Sequence, residues 1–165
     1  MEKWNLYDNK GNLTERTHRR GDPLEKGYFH MVVSNWIKND AGYYLIQKRT
    51  KPLGDCFNPW SSTAGAALIG EKSVVSVQRE TKEEMGLHFS FNDLRFIERA
   101  FFDVYFLDVY ETTWNREIDD INFDPNEVAD VKWVTKTEIQ RMYHSKEFYD
   151  RKTNYFNKIL DHSFE

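Results

Sequence analysis

Hydrophobic and polar positions alternate with a period of two in several short runs of this chain, the pattern of half-buried strands. Residues 4–16 (WNLYDNKGNLTER) set two such runs about Asn9-Lys10-Gly11-Asn12, which predicts a hairpin. Residues 29–37 (FHMVVSNWI) and 43–49 (YYLIQKR) predict two strands joined by a turn at Asn39-Asp40-Ala41-Gly42. A further strand is expected over 60–64 (WSSTA). The β-prone run at 94–112 predicts two strands with a bend or bulge, and 127–134 (EVADVKWV) one more. Between 73 and 85 the period changes to that of a helix, at about 100° per residue. Val74, Val77, Gln78, Thr81 and Met85 form its core stripe. Thr135 with Glu138 three residues on reads as a capping box opening a helix over 136–148, and a second helix is expected over 151–160. Strands mixed with a central helix and a terminal helical segment predict a layered α/β domain.

The connections carry the polar residues. Arg16, His18, Arg19 and Arg20 make a basic loop ahead of Gly21-Asp22-Pro23, which reads either as a lid over phosphates or as a basic surface loop. Residues 51–59 form a loop rich in Pro and Gly, and 115–126 a polar acidic one.

The candidate chemistry sits in residues 65–87 (GAALIGEKSVVSVQRETKEEMGL). Glu80, Glu83 and Glu84 fall within an arc of about 100° on the side of the helix opposite the core stripe. Ser73 and Ser76 share that side, and no basic residue falls in the patch. Like charges at these spacings each cost about 0.2–0.5 kcal/mol in an isolated helix, so a sequence chosen for helix stability alone would place a lysine there. Oxygen ligands at this density suit a hard cation, Mg²⁺ or Mn²⁺, that completes its shell with water and phosphate. An acidic helix face is usually just solvated. Here seven residues (Gly65, Glu71, Arg79, Glu80, Glu83, Glu84, Gly86) hold one frame, which chance produces on the order of once in a million chains of this length.

That frame resembles the Nudix box, the signature of a superfamily of diphosphate hydrolases. It departs at one aliphatic position, where Thr81 stands on the core stripe. The resemblance implies an α/β/α sandwich with a mixed central sheet, in which the box forms a loop, a helix and a loop. It also implies Mg²⁺- or Mn²⁺-dependent attack of water on a small-molecule diphosphate. By position Glu80, Glu83 and Glu84 are the implied metal ligands, with the Gly65 carbonyl as a fourth. Arg79 orients a neighbouring glutamate, and Glu71 is either an auxiliary ligand or the partner of Arg79. Gly86 closes the helix in a left-handed conformation. Glu83 and Glu84 are candidates for the general base, and Glu127, near the final strand, is another. Arg49 and Lys51, at the end of the second core strand, are the expected phosphate contacts, Arg49 first because a guanidinium grips phosphate bidentately.

The hairpin, the His-Arg-rich loop, Phe29-His30, LIQKRT and PWSST are similar to the branch of isopentenyl-diphosphate isomerase-like Nudix proteins. Protonating an alkene there needs a cysteine and a metal-binding histidine after the strand begun by Pro59-Trp60. Gly65 and Ala67 stand at those positions, and Cys56 lies upstream of them. Hydrolysis is therefore the expected reaction. An isomerase-like enzyme and a non-catalytic ligand-binding module are the alternatives.

Composition bounds the rest. The chain of 165 residues reads as one domain, 1–165, with the N-terminal hairpin and basic loop at 1–28, the box at 65–87 and the helical segment at 135–165. A net charge of -4 supplies no basic field for general nucleic-acid binding. One cysteine excludes an internal disulfide and fits a reducing cytoplasm. No signal peptide, membrane-length apolar run or lipidation motif is expected. Aromatic content of 16% exceeds what a core needs, so Phe57, Trp60 and Trp114 are candidate stacking surfaces, with 51–59 and 115–126 shaping a substrate pocket. His30 is expected to pack in the core, and a homodimer is the default assembly for a small domain of this type.

Overall fold

The computed structural model describes residues 2–52, 57 and 59–149. Strands β1 (Lys3–Tyr7) and β2 (Leu13–Arg19) form an antiparallel hairpin with Gly11 at φ +79° in its turn. The remaining strands are β3 (His30–Lys38), β4 (Tyr44–Arg49), β5 (Trp60–Ser61), β6 (Thr63–Ala66), β7 (Arg95–Phe101), β8 (Tyr105–Thr113) and β9 (Val128–Val134). They form one mixed sheet in the order β5-β4-β3-β8-β7, with β6 also on β3 and β9 also on β4; β3 and β8 run parallel. Helix α1 (Ser73–Met85) packs on one face and α2 (Lys136–His144) on the other, an α/β/α sandwich.

The alternation in the sequence is what divides the two cores. Along β3, Met31, Val33 and Ile37 face the α1 side with Val77 and Met85, while Val32 and Trp36 face the α2 side with Ile139 and Met142. Gly86 ends α1 at φ +67°, its N–H donating to the Lys82 carbonyl at 2.9 Å. The Thr135–Glu138 capping box forms as expected. The bulge in the 94–112 run lies between Phe96 and Glu98, where β7 loses register on β8.

Four expectations change. Arg16, His18 and Arg19 belong to strand β2 instead of a loop. The 60–64 strand is two, β5 and β6, and Gly65 lies inside β6, where β3 and β4 splay apart and each takes one of them as partner. Helix α2 stops at His144, because Phe148 leaves it to bridge Trp60 and stack on Trp36 at 6.0 Å. The polar side of α1 is also buried at Ser76 and Glu84, since β6 and the end of β4 cover it. Cys56, the core of the 51–59 loop and the 151–160 helix lie outside the described residues.

Thr81, the departure from the aliphatic pattern, is wholly buried. Its hydroxyl donates to the Val77 carbonyl at 2.7 Å and accepts from the Asn35 amide at 3.2 Å, while Asn35 accepts from Thr112 at 2.9 Å. The polar side chain at this position is answered by a polar chain running into the sheet. Thr81→Val is expected to lower stability by about 1–3 kcal/mol, because the Asn35 amide loses its acceptor in a dry site. Urea unfolding checks this, and an unchanged midpoint would deny the chain any structural weight.

Candidate active site

Helix α1 and strand β6 build the site together. Arg79 is its hub. Its Nε and Nη2 clasp Glu71 at 2.7 and 2.9 Å, Nη2 also donates to the Ala66 carbonyl at 3.0 Å, and Nη1 donates to Glu80 at 2.9 Å and Glu83 at 3.0 Å. A basic residue therefore does enter the carboxylate patch. The arginine is one residue from Glu80 and four from Glu83, and its long side chain folds across the helix face to meet both.

Glu71 partners Arg79. Its two oxygens take both Arg79 bonds, the Leu68 N–H at 2.9 Å and the Ser76 hydroxyl at 2.8 Å. Burial pushes its carboxyl up, but the Arg79, Leu68 and Ser76 hydrogen bonds outweigh that and hold it below the ordinary value. Glu71 is the strut that holds Arg79.

Glu80 and Glu84 are the buried carboxylates. Burial raises Glu80 most, and the charges of Glu83 and Glu2 add to it against the opposing pull of Arg79. Glu84 is only 6% exposed and is pushed up to about 8, chiefly by burial and also by Glu80, although the Gln47 amide donates to it at 2.7 Å and the Ala64 N–H at 3.3 Å. Arg49 lies 3.9 Å from Glu84, too far for a close pair. A desolvated carboxylate pair this poorly neutralised suits a cation. Glu83 stands at the rim, its side chain 59% exposed.

Gly65 is the space the site depends on. A Cβ there would come within 1.9 Å of the Glu80 carboxyl carbon and 2.2 Å of both oxygens, so any side chain evicts Glu80. Gly65→Ala is expected to cut turnover by on the order of a hundredfold while the fold persists, because a displacement of about 1 Å in a reacting group costs that much. Retained activity in that variant would show that Glu80 is dispensable.

The raised Glu84 has a consequence for stability. Between the ordinary carboxylate value of about 4.3 and about 8, folded protein holds a proton that unfolded protein has lost. In chelator, stability is therefore expected to be greatest near pH 5 and to fall as pH rises toward 8, by on the order of a few kcal/mol. Thermal unfolding in EDTA across that window reads it, and Glu84→Gln should flatten the slope.

Gly65, Arg79, Glu80, Glu83 and Glu84 line a cleft of ≈ 790 Å³. Arg49, Lys51, Asp124 and Glu127 line the cleft as well, with the Lys51 ammonium donating to Glu127 at 2.7 Å. Arg49 Nε is buried with no hydrogen-bond partner among the described residues. The expected aromatic surfaces lie elsewhere. Trp114 stacks on Trp133 against the α1 core, and Trp60 lies beneath Lys132. Trp4, Trp36, Tyr105 and Tyr143 line the cleft instead, with His30. His30 and Trp36 were legible as alternate positions of one strand, but which face of β3 opens on the cleft is set by the crossing of β6. Ala67 is buried and Gly65 is filled by Glu80, so neither position offers a side chain for alkene protonation.

Among solved structures, a Deinococcus radiodurans protein, DR0079, superposes with a TM-score of 0.78 at 19% identity, covering 99% of this chain and 100% of that one. A C. elegans Ap4A hydrolase does so at 0.61 and 18% identity, covering 81% and 97%. At these identities the likeness is of fold. In sequence, an uncharacterised Nudix hydrolase of Listeria innocua is 39% identical over 149 residues, 90% of this chain and 88% of its own length. Its counterpart in Listeria monocytogenes is 37% identical over the same shares. The NUDIX domain model matches residues 28–154. Sandwich, glutamate wall and these matches converge, and the chain belongs to the NUDIX domain family as a Nudix-type pyrophosphohydrolase.

Proposed function

We propose that the protein hydrolyses a diphosphate linkage in a small organic substrate, with Mg²⁺ or Mn²⁺ bound at the glutamate wall. The observation that carries this reading is the convergence of Glu80, Glu83 and Glu84 on the cleft, Glu80 and Glu83 held by Arg79, Glu80 also seated against Gly65, and Glu84 held by Gln47. Glu80 and Glu84 are buried all-oxygen donors of the kind a divalent cation takes, and Glu83 stands at the exposed rim beside them. Glu80, Glu83 and Glu84 would hold it, with the Gly65 carbonyl. When bound, the ion neutralises phosphate oxygens and makes water more acidic.

The chain's own residues supply the rest. Arg79 orients Glu80 and Glu83, and Glu71 with the Ala66 carbonyl fixes Arg79 in turn. Glu83 and Glu84 are candidates to take the proton of the attacking water. Glu127 also lines the cleft, but its carboxylate is engaged by Lys51, so it serves only if that pair opens. Arg49, whose buried Nε has no partner among the described residues and whose side chain lines the cleft, is the first candidate to hold a phosphate oxygen. No helix among the described residues is long and apolar enough to cross a membrane.

The test is phosphate or pyrophosphate release from nucleoside di- and triphosphates, dinucleotide polyphosphates, nucleotide sugars and isoprenoid diphosphates, with and without Mg²⁺. Metal-dependent turnover of one class, lost in Glu83→Gln, is the expected result. Metal binding without turnover of any of them would instead support a ligand-binding module.

A further inference from the structure

The family match begins at residue 28, so the β1–β2 hairpin stands outside it. Yet Glu2, Trp4 and Arg20 line the same cleft as Glu80 and Glu83. The hairpin is anchored there. The Ile69 N–H, on the loop entering α1, donates to the Lys3 carbonyl at 2.9 Å, and Tyr7 and Phe29 exchange backbone hydrogen bonds at 2.8 and 3.0 Å. Trp4 stacks on His30 with centroids 4.3 Å apart.

At the end of β2 the Arg20 guanidinium donates through Nη1 to Glu2 at 2.9 Å, and its backbone N–H to the Glu2 carbonyl at 3.1 Å. Both side chains are well exposed, 63% for Arg20 and 43% for Glu2. Glu2 lies close enough to the glutamate wall for its charge to act on Glu80, after burial and Arg79.

Two of the other three cations of the cleft are already committed: Arg79 spends its donors on Glu71, Glu80, Glu83 and the Ala66 carbonyl, and Lys51 is held by Glu127. Arg49, 3.9 Å from Glu84, is left as one phosphate contact, on the side of the glutamates. Arg20 carries five N–H donors, and among the described residues its side chain donates to Glu2 alone. A cleft walled by glutamates repels an anionic substrate unless cations on its other side offset the field. We propose that Arg20, delivered by the hairpin, is a substrate-positioning residue that grips the diphosphate across the cleft from the glutamate wall, and that Glu2 holds it in place until the substrate arrives. An exposed ion pair is weak enough to be exchanged for a doubly charged phosphate, which accepts the guanidinium fork bidentately. The inference rests on the hydrolase reading of the glutamate wall.

Its test is calorimetric titration of methylenediphosphonate, a diphosphate that cannot be hydrolysed, with and without Mg²⁺. Arg20→Ala is expected to weaken binding about tenfold or more, and Arg20→Lys by less. Glu2→Gln should tighten binding about threefold, because the competitor for Arg20 is removed. The opposite signs are diagnostic. If the pair were only a strut for the hairpin, both variants would lower the thermal midpoint and leave affinity alone, and that outcome overturns the proposal. So does wild-type affinity in Arg20→Ala. Mn²⁺ binding, read separately by electron paramagnetic resonance, should survive in Arg20→Ala and be lost in Glu80→Gln. Absence of Mn²⁺ binding in the wild type would count against the hydrolase reading. The metal-free diphosphonate titration would still judge Arg20 by itself.

Discussion

Glu83→Gln is expected to lower kcat on the order of a thousandfold or more while leaving the fold in place. The two halves of that expectation have different causes. Glu83 is the exposed member of the glutamate wall, and its link to the protein is one i,i+4 bond to Arg79 at 3.0 Å. Such a pair contributes about 0.3–0.5 kcal/mol, so the thermal midpoint should scarcely move. Glutamine keeps the shape but removes the charge, and negative charge is what a hard cation would require of this position. Steady-state kinetics on the compound class that the release panel identifies, beside a melting curve, separates the two effects. Turnover near wild type would remove Glu83 from the site.

Arg79→Ala is expected to damage both stability and rate. The guanidinium makes five hydrogen bonds within a partly buried network, and its departure strands Glu71, Glu80 and Glu83 without their common partner. Removing one member of such a buried network costs about 3–5 kcal/mol, because the charges left behind cannot recover water. Turnover should fall at least a hundredfold as Glu80 and Glu83 lose their orientation. Arg79→Lys restores the charge but not the fork that spans Glu71 and Glu80 together, so it should recover only part of the stability. Urea unfolding of the three proteins reads this directly. A loss below about 1 kcal/mol in Arg79→Ala would mean that solvent already screens the network.

Much of this was local in origin, and what is local is legible in a sequence. The period-two runs of β3, β4 and β8, the helical period of α1, the left-handed stop at Gly86 and the Thr135 capping box depend on neighbours within a few residues. The frame of Gly65, Arg79, Glu80, Glu83, Glu84 and Gly86 is of the same kind. Helix geometry alone puts three carboxylates on one side. The role of Thr81 could not be read, because the residue that answers it, Asn35, is 46 positions away.

The sequence by itself determined the layered α/β class, the glutamate frame and the family resemblance, since each follows from spacing along the chain. Tertiary structure alone decided three further things. It turned the polar side of α1 inward at Glu84 by laying β6 and the end of β4 across it, which desolvates that carboxylate and raises it to about 8. It assigned Glu71 to Arg79, because only the folded loop brings the Leu68 N–H and the Ser76 hydroxyl onto the same carboxylate. And it carried Glu2 and Arg20 to the cleft, because the hairpin docks through the Lys3 carbonyl on a loop more than sixty residues downstream. Desolvation and charge–charge distance depend on segments remote in sequence, and no periodicity encodes them.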